Sequence, residues 1–268
     1  MLSVIETGSG APLILLHGWG LHSGVWENSL PILEKHFHCY IVDMLGHGES
    51  TLDNCQSFNL NEMREELNQL IKKIDSNKIL LLGWSLGGLI AMDYLNHYGL
   101  DKKSNNEAKK IEKLILVTSN ASFCKKDEWP HAMDEAVLDN FAEQLEQDYK
   151  KTVDKFMTLQ MFGADDYKQS LKLLKKSMAS RPMPSIETLR QGLQILKTVD
   201  LRSALKKITQ SVLLISGEYD RLMPYQAADD MQQLLSKSEH FMIKGAGHAP
   251  FISHTQDFTQ AVHNFSKE

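Results

Sequence analysis

A chain of 268 residues with a net charge of −5 and an ordinary apolar share suits one large α/β domain or two small ones. The negative balance argues against a general nucleic-acid binder, and no uninterrupted apolar run approaches the length of a membrane span. Such a chain buries about three-quarters of its unfolded surface and needs no staple; Cys39, Cys55 and Cys124, odd in number and without paired spacing, read as reduced thiols of a cytoplasmic protein.

Residues 4–7, followed by Gly8-Ser9-Gly10, predict a short strand and a tight turn. No basic segment leads into an apolar stretch there, so no signal peptide is expected. Those glycines precede the next strand and open no helix, which excludes a dinucleotide-binding fingerprint. Residues 13–17, 39–43, 79–82, 114–118 and 212–216 are nearly continuous aliphatic runs, the pattern of strands buried on both faces. Helical spacing at 25–35, 60–74 and 86–98 separates most of them. Strands alternating with helices predict right-handed crossovers and a mostly parallel central sheet with helices on both faces. A further strand at 239–244 and a helix at 256–265 complete the set.

The rhythm breaks between Thr118 and Val212. This stretch has no strand pattern, although a crossover needs only about a dozen residues. Four helical patterns occupy it, at 133–147, 152–161, 165–179 and 185–196, with Pro182 and Pro184 between the last two. The reading is a helical cap, 119–198, inserted into an α/β core made of 1–118 and 199–268. Residues 101–110 are a polar surface loop with no assigned chemistry.

Gly83-Trp84-Ser85-Leu86-Gly87 lies between a buried strand and an amphipathic helix. A serine on such a strand-to-helix turn has its hydroxyl clear of both elements, which is how an α/β-hydrolase presents a nucleophile. The hydroxyl needs a base. His248, in the glycine-rich loop after the last strand, is the candidate. The orienting acid should follow the preceding strand, where Gly217-Glu218-Tyr219-Asp220 offers two carboxylates. Asp220 lies farther into the loop and is preferred, with Glu218 as the alternative. Ser85, Asp220 and His248 then follow the chain order of this fold. His17-Gly18-Trp19-Gly20 ends the first long strand and should pass beside the serine. The oxyanion hole is therefore assigned to the backbone N–H groups of Trp19 and Leu86. Gly46-His47-Gly48-Glu49-Ser50 reads as a structural turn, and His36, His38, His97, His240 and His263 as surface or strand residues. No metal-binding or cofactor motif is present, and no cofactor is expected.

Between Lys150 and Arg181, eight basic side chains face three acids in a chain that is acidic overall. Lys168, Lys172 and Lys175 share one helical face, and Lys151 and Lys155 repeat the spacing on the preceding helix. Charge alone leaves a solvated face and a landing patch for an acidic protein or anionic substrate equally supported.

His17-Gly18-Trp19-Gly20-Leu21, Leu82 through Leu89, Asp127-Glu128-Trp129-Pro130, Pro182-Met183-Pro184, Ile195 through Arg202 and His248 through His254 together resemble the pimeloyl-[acyl-carrier protein] methyl ester esterases of biotin synthesis. The resemblance runs almost end to end, and the cap motifs carry the substrate class. It implies hydrolysis of the methyl ester of pimeloyl-acyl carrier protein by a Ser-His-Asp acyl-enzyme mechanism. Trp19, Ser85, Leu86 and His248 would bind the ester end. Phe156, Met157, Thr158, Leu159 and Gln160 would bind the acyl chain. Lys151, Lys155, Lys168 and Lys172 match the family's carrier-protein contacts. Lysine stands where the family pattern often has arginine, keeping the charge without the bidentate fork. The protein is expected to be a monomer with no nucleic-acid or membrane partner. Two rivals stand beside this reading: another cap-bearing hydrolase, such as a carbon–carbon bond hydrolase or lactonase, and a non-catalytic small-molecule binding protein.

Overall fold

The computed structural model describes residues 1–52, 57–99 and 107–268. Cys55 and residues 101–106 of the polar loop lie outside the described residues. Chain order begins with strands β1 (Ser3–Gly8) and β2 (Ala11–Leu16), a 3-10 turn (Ser23–Trp26), helix α1 (Leu30–Leu33) and β3 (Phe37–Asp43). Next come α2 (Leu60–Lys73), β4 (Ile79–Trp84), α3 (Leu86–Tyr98) and β5 (Ile111–Val117). Helices α4 (Glu135–Gln147), α5 (Tyr149–Met161), α6 (Tyr167–Met178), α7 (Ile186–Thr198) and α8 (Arg202–Leu205) precede β6 (Ser211–Gly217). The chain closes with α9 (Gln226–Gln232), β7 (Ser238–Ile243), α10 (Pro250–Ser253) and α11 (Thr255–Lys267).

One seven-stranded sheet has the order β1-β3-β2-β4-β5-β6-β7. Among the described residues only β1 runs antiparallel to its neighbour. The central strands are buried on both sides; every residue of β4 is buried. That is why aliphatic runs without alternation mark them in the sequence. From β2 the chain steps to β3, and from β3 it returns across β2 to β4. Right-handed crossovers in opposite directions put α1 and α2 on opposite faces. α2 and α3 pack together, and α1 packs with α11. The reversal between β2 and β4 parts the loops at their carboxyl ends, where an open α/β sheet forms its binding crevice. Residues 17–20 and Ser85 lie there.

Residues 25–35 do not form the continuous helix that their spacing predicts. A 3-10 turn capped by the His22 side chain gives way to the four-residue α1, with Pro31 in its first turn. Proline lacks the N–H a helix interior needs and clashes with the preceding turn, so the helix can only begin there. α8, α9 and α10 are also short helices that periodicity did not reveal. α9 reads Gln-Ala-Ala-Asp-Asp-Met-Gln, too brief and too polar to show a stripe.

Four long helices separate β5 from β6, with α4 packed on α5 and α7, and α5 on α6. Side chains tie this group to the sheet domain. The Trp19 indole donates to Leu189 O at 2.8 Å, and the Phe58 N–H donates to Gln191 Oε1 at 2.7 Å. Arg181 donates to Asp43 Oδ2 at 2.8 Å, and Asp43 also accepts the amides of Ser23 and Glu49. Burial opposes the charge of Asp43, yet hydrogen bonds from Ser23 and from the Glu49 amide hold its carboxyl below the usual range. Arg181 is therefore an internal strut, and Lys175 pairs with Asp154 at 2.5 Å, so neither belongs to the free basic surface.

Cys39 and Cys124 are free and buried. Burial pushes the Cys39 thiol up to about 12, so it packs as a small hydrophobe. Among the described residues no helix is long and apolar enough to cross a membrane.

Candidate active site

Ser85 sits at the junction of β4 and α3 with φ +53° and ψ −119°. A side chain on Gly83 would strike the Gly87 carbonyl, and one on Gly87 would come within 2.5 Å of His17 O. The tight strand-to-helix reversal therefore needs both glycines, which is the reason for their spacing around the serine. The Ser85 amide donates to Val117 O at 2.9 Å.

His248 follows β7 and is 1 % exposed. Its Nδ1–H donates to Asp220 Oδ2 at 2.6 Å. The other oxygen of that carboxylate accepts the amides of Leu222 and Met223 at 2.8 and 2.9 Å. A carboxylate so held only accepts, so the imidazole proton resides on Nδ1 and Nε2 is left basic. Glu218, the other carboxylate of the loop, instead accepts the Gly245 amide at 2.9 Å and braces the histidine loop.

The main chain of His248 is held on both sides. Its N–H donates to Gln160 O at 3.0 Å, and its carbonyl accepts from Trp84 Nε1 and Thr118 Oγ1, both at 2.8 Å.

Ser85 and His248 line the same cavity of about 20 Å³. Its other walls are apolar: Phe123 and Met133 from the segment after β5, Leu138 and Phe141 of α4, Phe156 of α5, Leu193 and Leu196 of α7, and Leu222. This is room for about one water. Of residues 156–160, Phe156 alone lines it, packed edge-on against Trp19 with ring centroids 4.5 Å apart. Gln160 reaches the site through its carbonyl. The remaining wall residues escaped the sequence reading, because a buried leucine in one of the inserted helices looks like any other core leucine until the fold shows what it faces.

The loop after β2 runs against the serine: a Cβ on Gly18 would lie 3.3 Å from Ser85 Cβ. Leu86, the first residue of α3, has an amide without an intrahelical acceptor. His17 donates from Nδ1 to Gly18 O at 2.8 Å and accepts the Met44 amide on Nε2 at 3.0 Å, so its ring is neutral. Burial and the nearby His47 ring lower its pKa to about 3, and burial lowers that of His47 to about 4. Their partners make 46–50 the structural turn expected. Both histidines charge near pH 6.5 once unfolded, so the unfolded chain binds more protons below that pH. Their contribution to stability is complete above pH 6.5 and is lost as pH falls from there through about 4 for His47 and about 3 for His17. Thermal unfolding should accordingly move to lower temperature across that window, and His47→Asn should flatten the fall. An unchanged pH slope in the variant would refute this account.

Lys150, Lys151, Lys168, Lys172 and Lys176 are exposed, and among the described residues no ion pair engages them. Lys155 is exposed as well, donates to Gln144 Oε1 at 3.1 Å and lies over the Phe141 ring.

An α/β-hydrolase fold family model matches residues 11–255. Pimeloyl-[acyl-carrier protein] methyl ester esterase from Aliivibrio fischeri is 36 % identical over 258 residues, covering 96 % of this chain and 94 % of its own. The protein of that name from Photobacterium profundum is 37 % identical over 260 residues, covering 97 % and 96 %. Among solved structures, an esterase from Exiguobacterium antarcticum superposes with a TM-score of 0.87 at 26 % identity, covering 100 % of this chain and 96 % of that one. A bromoperoxidase from Bacillus anthracis reaches the same TM-score at 23 % identity, with 100 % and 95 % covered, and shares the fold.

Proposed function

Since the chain belongs to the α/β-hydrolase family and, within it, to the pimeloyl-[acyl-carrier protein] methyl ester esterases, we propose that it hydrolyses the methyl ester of pimeloyl-acyl carrier protein in biotin synthesis. The observation that carries this reading is likeness at 36–37 % identity over almost the whole chain, helical insertion included. The protein is a carboxylic ester hydrolase. Residues 119–198 serve as its cap, closing an apolar cavity over the reacting ester.

Ser85 attacks the ester carbonyl while His248 Nε2 takes its proton. Asp220 keeps the imidazole in the tautomer that can do so and steadies the imidazolium. The amides of Trp19 and Leu86 bind the oxyanion; one such donor is worth ~3 kcal/mol in the transition state. His248 returns the proton to departing methanol. Water then attacks the acyl-enzyme by the same route, freeing the carboxylate. No cofactor takes part. Phe156 and the leucines of α4 and α7 pack on the methylene chain, and Met157, Thr158, Leu159 and Gln160 form the wall behind it. A chain of that length exceeds the present cavity, so these helices part to admit it.

The carrier protein docks on Lys151, Lys155, Lys168 and Lys172. Mass spectrometry of the carrier-linked methyl ester should show loss of one methylene mass on incubation with the enzyme. Turnover of lactones or carbon–carbon substrates with none of this ester would overturn the proposal. Lys168→Glu with Lys172→Glu should lower kcat/KM for the carrier-linked ester about tenfold or more at low salt and spare a small soluble methyl ester. Equal losses on both substrates would remove the lysines from docking. The protein works as a monomer in the cytoplasm.

A further inference from the structure

Three consecutive residues at the end of β5 each bond the main chain of Ser85 or His248. Val117 O accepts the Ser85 amide at 2.9 Å. Ser119 Oγ donates to Ser85 O at 2.8 Å, and Thr118 Oγ1 donates to His248 O at 2.8 Å. All three are buried. Thr118 lies at φ +42°, in the left-handed region that a β-branched residue seldom occupies. Its own amide donates to Ile215 O of β6 at 2.7 Å. The reversed backbone at Thr118 turns its hydroxyl toward the histidine loop while its two neighbours face the serine. Room for this corner is made on α3, where a side chain on Gly88 would run into Ser119 Oγ.

Strain of this kind costs stability and persists only where surrounding bonds over-determine it. Packing alone does not call for it, since glycine or asparagine would hold the same turn at lower cost. What threonine adds is a hydroxyl on the carbonyl of His248, an oxygen that Trp84 Nε1 already satisfies. The second donor therefore fills no unmet need for a partner. It adds a direct link between the β5 corner and the histidine loop.

We propose that Thr118 and Ser119 are positioning residues that set the separation between Ser85 and His248. The inference rests on those two being nucleophile and base. Neither hydroxyl touches the ester. Both act by fixing the main chains that carry the serine oxygen and Nε2, and an error of about 1 Å in the placement of reacting groups can cost a hundredfold in rate.

The test compares Thr118→Val, Thr118→Gly, Thr118→Ser and Ser119→Ala on a soluble methyl ester and in the rate of fluorophosphonate labelling of Ser85. Thr118→Val and Thr118→Gly should lower kcat and the labelling rate about tenfold, with KM within twofold of wild type. Thr118→Ser, which keeps the hydroxyl, should retain the rate. Ser119→Ala should slow both readouts about fivefold. Thr118→Gly removes the strained side chain, so it should unfold at the wild-type temperature or above while turning over slowly. That combination separates positioning from support of the fold, and the glycine variant carries the test if the valine variant misfolds. Wild-type rates in Thr118→Gly, or a Thr118→Ser variant as slow as Thr118→Val, would overturn the proposal. Ser85→Ala and His248→Ala are assayed beside them. If those two remain active, the assignment of nucleophile and base has failed, and not the corner alone.

Discussion

Ser85→Ala should lose about a million-fold in kcat and still fold. The hydroxyl is the only part of this side chain with chemistry to do. It caps no helix amide, since α3 has no side-chain hydrogen bond at its start, and the elbow is held by main-chain bonds to Val117 and by Ser119. The variant should keep the wild-type circular dichroism spectrum and unfolding temperature. It should also fail to react with a fluorophosphonate. Retention of a tenth of the wild-type activity would reject Ser85 as nucleophile. It would also revive the rival assignment of a binding protein on this fold, whose ligand affinity need not depend on this oxygen.

Asp220→Asn should cost about 10⁴ in kcat with little change in stability. Asp220 Oδ1 accepts two amides and Oδ2 accepts the imidazole proton. An asparagine here keeps its oxygen on the two amides and turns its NH₂ toward His248. Nδ1 must then become the acceptor, the ring proton moves to Nε2, and the base can no longer take a proton from serine. The loss should appear in kcat and leave KM nearly unchanged, because the carboxylate lies behind the histidine and does not line the cavity. Glu218→Gln, by comparison, should be mild, since its carboxylate braces Gly245 and a glutamine oxygen can accept the same amide. A kcat for Asp220→Asn within tenfold of wild type, or a larger loss for Glu218→Gln, would exchange the two roles.

The sheet was legible because its strands are buried on both faces, and the cost of burying polar side chains there leaves unbroken aliphatic runs. The positions of Ser85, Asp220 and His248 at the strand ends were legible for a related reason. Each must follow a strand, and each lies in a glycine-bearing loop whose backbone conformation few residues allow. The choice of Asp220 over Glu218 rested on distance into the loop. Coordinates supply its physical content, two amides that turn one carboxylate toward the histidine and one amide that turns the other away. The helix expected at 25–35 failed because periodicity does not register what Pro31 does to the backbone ahead of it.

Amino-acid order by itself determined the strand sequence, the helical interruption after β5, the glycine-flanked serine turn and the basic character of α5 and α6. These depend on local conformation, on periodicity or on charge, all of which are written within a few residues of one another. The walls of the cavity, the Asp43–Arg181 strut between residues 138 apart, and the corner that joins Ser85 to His248 were decided only in three dimensions. Their partners come from distant segments, and no side chain among them departs in type from an ordinary core or surface residue. A leucine becomes part of a cavity wall, and a threonine hydroxyl meets the carbonyl of His248, only when the fold brings the other half of the contact to it.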